Sequence, residues 1–196
     1  MPLTVERITR ELPLFDPNIM ATLELSWIGN AIAGNLNGSF WQEVEGLKRQ
    51  FGMNSQSAKI AISHRHSVLS AVSDKDKYSY TLAYYRTVSD ASGLHFDAQL
   101  AANVDQEFEI AFKRNNFIAS VDALSRQFSI IYQDLPAESL KPAMAVRIKT
   151  FQDASPAFEQ RELVRGEQSW QILNSGLLAY YQMLHLAISS QNQSVV

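Results

Sequence analysis

Between residues 58 and 114 the large apolar residues recur at every second position, and that period constrains the fold more than any other feature of the chain. In "KIAISHRHSVLSAV", Ile60 and Ile62 run in phase with His64, His66 and Val68. In "YSYTLAYYRTV" the phased residues are Tyr78, Tyr80, Leu82 and Tyr84. "LHFDAQLAA" offers Leu94, Phe96, Ala98 and Leu100, and "EFEIAFKR" offers Phe108, Ile110 and Phe112. A two-residue period puts alternate side chains on opposite faces of an extended chain. The polar stretches "SDKDK", "SDASG" and "NVDQ" separate the four segments. The pattern predicts an antiparallel meander with one buried and one wet face. "AMAVRIKTF", where Met144, Val146 and Ile148 alternate with Arg147 and Lys149, predicts a fifth strand.

Helical spacing appears on either side. Asp16-Pro17 is a helix start, with an acceptor for unpaired N–H groups followed by a residue whose φ already suits the first turn. Ile19, Leu23 and Trp27, with Met20 and Ile28, recur at three- and four-residue steps, and Gly29, Gly34 and Asn37-Gly38 then end the helix. In "SFWQEVEGLKRQFG", Ser39 and Gln42 form a capping-box pair and Trp41, Val44, Leu47 and Phe51 a stripe. Lys48 and Arg49 suit the negative end of that helix, and Gly52 offers a left-handed cap. Ile118, Val121, Leu124, Phe128, Ile131 and Leu135 predict a further helix, capped at Asn115 or Asn116 and stopped by Pro136. A last helix opens after Ser155-Pro156, with Gly166 as a weak point. From Trp170 its stripe runs through Leu173, Leu177, Tyr181, Leu184 and Ile188, widened by Leu178, Tyr180 and Leu186. That face is broader than one packing seam needs.

The expected fold is therefore α+β. Two N-terminal helices precede an antiparallel four- or five-stranded meander sheet, and later helices pack on one sheet face. A single domain spans residues 1–196, with a helical segment at 17–52, the sheet at 58–114 plus 143–151, and a C-terminal helix at 167–189.

Composition narrows the function classes. Hydrophobic residues make up 46% of the chain and charged residues 19%, enough to build a core and too apolar for intrinsic disorder. With 17 basic against 20 acidic residues and no run of three Lys or Arg, nucleic acid is not an expected partner. The absence of cysteine removes disulfides, thiolate nucleophiles and thiolate metal sites. The first fifteen residues carry Glu6, Arg7, Arg10 and Glu11 and no apolar signal region, and no apolar run approaches the roughly 20 residues that span a bilayer. The expected location is cytoplasmic, with non-Sec export left open, and a membrane is not an expected partner.

Few residues point to chemistry. On a strand His64 and His66 would face the same way, within reach of one metal ion. A third ligand is needed, and His95 falls out of phase with its buried neighbours Leu94 and Phe96. No metal site is assigned. Tyr78, Tyr80 and Tyr84 would line either a ligand platform or the core, and strand aromatics fill cores more often. Small residues in "WIGNAIAGNLNG" fit close helix packing better than membrane insertion, given Glu24 before them and the asparagines among them. Glu107 and Glu109 read as a solvated face, and the His95–Asp97 pair as a surface pair. No nucleophile elbow, phosphate loop, dinucleotide loop or H-E-x-x-H motif is present. No catalytic residue and no cofactor is assigned.

The expected function is a non-catalytic binding or assembly protein. It would use an apolar pocket or surface between the sheet and the C-terminal helix, binding a protein partner, a second copy or an apolar small molecule. A metal-binding protein or enzyme centred on His64 and His66 is the alternative, and a membrane-active effector or toxin the second.

Overall fold

The computed structural model describes residues 14–159 and 167–193. Among them there is no strand. Eight helices follow one another: α1 Pro17–Ile32, α2 Leu36–Phe51, α3 Ser55–Leu69, α4 Asp74–Ser92, α5 Ala98–Lys113, α6 Phe117–Ile131, α7 Ala137–Glu159 and α8 Glu167–Gln193. The α+β expectation is overturned: the segments read as four strands are α3, α4 and α5, and the fifth strand at 143–151 lies within α7.

The error has a physical origin. Ile60, Tyr80, Leu100 and Ile110, which carried the two-residue period, are all exposed. The buried stripes run at helical steps instead, and in α3 and α5 they are built from smaller residues. In α3 they are Ala58, Ala61 and Ile62, in α5 Ala101, Ala102, Val104 and Ala111, and in α4 Tyr84, Tyr85, Val88 and Ser89. Alanine is the strongest helix former and lets helix axes approach closely. It carries little weight in a hydropathy pattern, so large surface residues set the apparent period.

Side-chain caps fix where the helices begin. Asp16 accepts from Asn18 N at 2.8 Å, Asn54 from Ser57 N at 2.8 Å, Ser73 from Asp76 N at 3.1 Å, Asp97 from Leu100 N at 2.9 Å, and Asn116 from Ala119 N at 3.1 Å. Each satisfies one of the unpaired N–H groups of a first turn, worth about 1 kcal/mol. "SDKDK", taken as a hairpin turn, is thus the capped start of α4, and "NVDQ" lies inside α5. The Ser39–Gln42 box is not the start of α2. Asn35 caps it four residues earlier by accepting from Gly38 N at 3.0 Å, and Ser39 is buried. Gly52 and Gly93 close α2 and α4 in the left-handed conformation, at φ 65° and 67°.

Each helix packs against its neighbours in sequence, and α8 returns to α1, so the eight helices close a ring. Ser155-Pro156, expected to open the last helix, lies inside α7, and Gly166 falls outside the described residues. The broad apolar face of α8 is consumed by this closure: Leu173, Leu177, Tyr180, Leu184 and Ile188 are buried where α8 meets α7 and α1. Burying each such side chain contributes roughly 1.5–3 kcal/mol. A methyl group built on Gly176 would stand 2.0 Å from Thr150 Oγ1, so only glycine lets α8 sit this close to α7. None of the described helices is long and apolar enough to cross a membrane.

Candidate functional site

The ring encloses a cavity of about 250 Å³ to which all eight helices contribute side chains. Every helix brings a polar or phenolic side chain to its lining, in phase with a buried stripe. Glu24 follows Met20 by one turn on α1, Gln127 lies between Leu124 and Ile131 on α6, and Arg147 between Met144 and Ile148 on α7. The result is a polar waist across an otherwise apolar and aromatic interior, in which four clusters can be distinguished.

The first is closed on itself. Arg147 holds Glu24 with two parallel bonds, Nη1 to Oε2 at 2.9 Å and Nη2 to Oε1 at 2.5 Å, and Tyr181 Oη donates to Glu24 Oε2 at 2.5 Å. The guanidinium also stacks near Tyr180 and Phe151, at 4.8 and 5.2 Å from their ring centres. Burial alone would raise the Glu24 pKa, but the charge and hydrogen bonds of Arg147, with that of Tyr181, outweigh it and hold the carboxyl below its ordinary range. Burial raises the Tyr181 phenol well above its ordinary value, and the neighbouring Glu24 charge adds to this.

The second cluster gathers on one oxygen of Glu43. Trp27 Nε1 donates to Oε1, His66 Nε2 lies 2.8 Å from it and Ser39 Oγ 3.5 Å. In the third, Tyr85 Oη donates to Asp105 Oδ1 at 3.0 Å, and Gln127 Nε2 reaches both Asp105 Oδ1, at 2.8 Å, and Tyr85 Oη, at 2.5 Å. Burial again, followed by the Asp105 charge, pushes the Tyr85 phenol well up.

The fourth is Arg65. It lines the cavity, is solvent-exposed, and forms no ion pair among the described residues. Its one hydrogen bond runs from Nη1 to Tyr84 Oη at 3.3 Å, with the guanidinium 5.2 Å from the ring centre. Tyr84 raises its pKa most, partial desolvation at the cavity wall opposes this, and Tyr85, Glu43 and Asp105 add to the rise through space. Arg65 is therefore a permanent cation inside the ring, with Nε and Nη2 donating to no described protein group.

The residues singled out in the sequence are dispersed. A two-residue step on a helix turns about 200°, so His64 and His66 face different sides of α3 instead of sharing one. His66 turns to Glu43, and the described residues hold no group of three or more histidines and carboxylates arranged to bind a metal. His95 lies in the loop after α4 at φ 52°, and Asp97 caps α5. Tyr78, Tyr80 and Tyr84 separate too. Tyr84 reaches the cavity, Tyr78 donates to Asn103 Oδ1 at 2.9 Å, and Tyr80 faces outward. Glu107 and Glu109, both exposed, pair with Arg126 and Lys113.

Glu24, Glu43, Arg65, Asp105, Gln127 and Arg147 were not anticipated as a site. Their signal is a polar residue in phase with a helical apolar stripe, and it can be seen only once the helical period is recognised. No protein-family model, curated protein or solved structure matches the chain.

Proposed function

We propose that this protein binds a small organic anion in its central cavity, with Arg65 gripping the anionic group and the aromatic walls holding the body. The observation that carries this reading is the state of Arg65: a cation inside a ring of eight helices, facing a cavity, with most of its donors unused by the described residues. Ligand pockets are commonly apolar clefts with a few convergent polar groups, and a planar guanidinium matches the two oxygens of a carboxylate or phosphate. Trp27, Phe108 and Phe128 supply the apolar wall. Gly46, one turn beyond Glu43 on α2, leaves open space where a side chain would stand.

The pocket differs from the one expected beneath a C-terminal helix on a sheet, being central and polar at its waist. Self-association through α8 has little to work with, since its stripe is buried and, of its described large apolar side chains, Ile172 and Leu186 are exposed. A binding role without catalysis remains the reading.

Native mass spectrometry of the purified chain, followed by calorimetric titration with aryl and alkyl carboxylates, tests it. Binding in the wild type that weakens about tenfold or more in Arg65→Met is the expected result. Undiminished binding in the variant, or no organic anion bound by the wild type, overturns it.

A further inference from the structure

The anion proposed for Arg65 would meet two carboxylates that are each only half used. Asp105 accepts from Tyr85 and Gln127 through Oδ1 alone. Glu43 accepts from Trp27 and shares a hydrogen bond with His66 through Oε1 alone. Oδ2 of the one and Oε2 of the other receive no donor from a described residue, and both side chains line the cavity with Arg65. A carboxylate oxygen that faces a cavity without a donor is an acceptor held ready for a ligand or water.

From this juxtaposition of unused guanidinium donors with two unused carboxylate oxygens, we infer that the ligand is an amino-carboxylate zwitterion. Its anionic group lies on Arg65, and its ammonium lies on Asp105 Oδ2 and Glu43 Oε2. The inference rests on the binding reading above and adds the second charge to it. Charge balance favours it. The side chains lining the cavity include three carboxylates, Glu24, Glu43 and Asp105, against two guanidiniums, Arg65 and Arg147, leaving one negative charge in excess. A plain anion would add to that excess, whereas a zwitterion adds no net charge. The ammonium satisfies both free oxygens, which a plain carboxylate would leave facing its own charge. A hard divalent cation fits less well, since two free carboxylate oxygens beside a guanidinium fall short of the six or more oxygens it takes up.

Three probes with one body separate the terms: L-phenylalanine carries both charges, 3-phenylpropanoate only the anion, and 2-phenylethylamine only the cation. Calorimetry on the full chain should find phenylalanine bound about tenfold or more tighter than either analogue. Asp105→Asn keeps Oδ1 as acceptor for Tyr85 and Gln127 and turns Oδ2 into an NH₂ donor. It should weaken phenylalanine about tenfold and leave 3-phenylpropanoate unchanged or tighter. Glu43→Gln makes the same exchange at the other carboxylate and serves if Asp105→Asn loses its cooperative melt. If 3-phenylpropanoate binds as tightly as phenylalanine and still depends on Arg65, the zwitterion is overturned and the anion-binding reading stands. If neither carboxylate binds, both fall.

Discussion

Two arginines face the same cavity and differ in almost everything else. Arg147 is saturated: both Nη atoms engage Glu24, and Tyr180 and Phe151 flank its plane. Among the described residues Arg65 has one neutral phenol as its hydrogen-bond partner, and solvent reaches it. The contrast separates two uses of a cavity-lining charge. A guanidinium locked in a bidentate pair ties α1 to α7, the two helices that flank α8, and has little left to offer a ligand. One with free donors contributes little to holding the fold and retains its capacity to bind.

The largest effect should come from breaking the saturated pair. Arg147→Met leaves Glu24 buried without its counter-ion and should lower the unfolding free energy by about 3–5 kcal/mol in denaturant titration. Adding Glu24→Gln removes the stranded charge, so the double variant should lose less than the sum of the two single losses. A fully additive pair would show that Arg147 and Glu24 are not coupled. The Arg65 surroundings offer no comparable cycle, because no carboxylate bonds it.

The next effect is acidic destabilisation from Glu24. Its folded pKa lies below the ordinary value of 4.5, so the unfolded chain takes up the proton first as pH falls. Its contribution is complete above that ordinary value and is lost as pH drops through the depressed folded value. Thermal melts from pH 7 downward should show a steeper loss below pH 4.5 for the wild type than for Glu24→Gln. Parallel curves would assign the acid sensitivity to other carboxylates.

The two regions also differ in how far the sequence disclosed them. Asp16-Pro17, the Lys48–Arg49–Gly52 ending of α2 and Asn116 at the start of α6 are local signals, and local signals set these helix ends. The middle of the chain shows a false two-residue period because the buried faces of α3 and α5 are mostly alanine while Ile60, Leu100 and Ile110 lie on the surface. The site was lost with it. On a strand Arg65 falls between two histidines on the opposite face, whereas on a helix it follows Ala58, Ala61 and Ile62 inward. Arg147, read as the wet side of a fifth strand, lies one turn after Met144 and Ala143 on a buried face. Closure of α8 onto α1 joins the first and last described helices, and no local pattern announces it.

Smaller effects sharpen the comparison on the Arg65 side. Gly46 occupies a helix interior, where glycine costs about 0.5–1 kcal/mol relative to alanine, and a methyl group added there meets nothing within 4 Å. Gly46→Ala should therefore raise stability by about that amount. The larger Gly46→Leu should occupy the cavity and reduce ligand uptake while the fold is kept. Unimpaired uptake in Gly46→Leu would place the ligand away from the α2 wall.

The smallest stability change belongs to Arg65 itself. Its replacement by methionine keeps most of the stem that packs along α3 and removes one weak hydrogen bond to Tyr84. The phenol left behind lines an open cavity, so it exchanges one donor for solvent. Glu43 and Asp105 lose only a through-space attraction that solvent screens, and they keep their own donors, so unfolding free energy should shift by no more than about 0.5 kcal/mol. Arg65→Met and Arg147→Met remove the same charge from the same cavity, so the several-fold difference between their effects on denaturant midpoint measures saturation directly. Equal losses would mean that Arg65 is held by the fold as firmly as Arg147, and would leave it no capacity for a ligand.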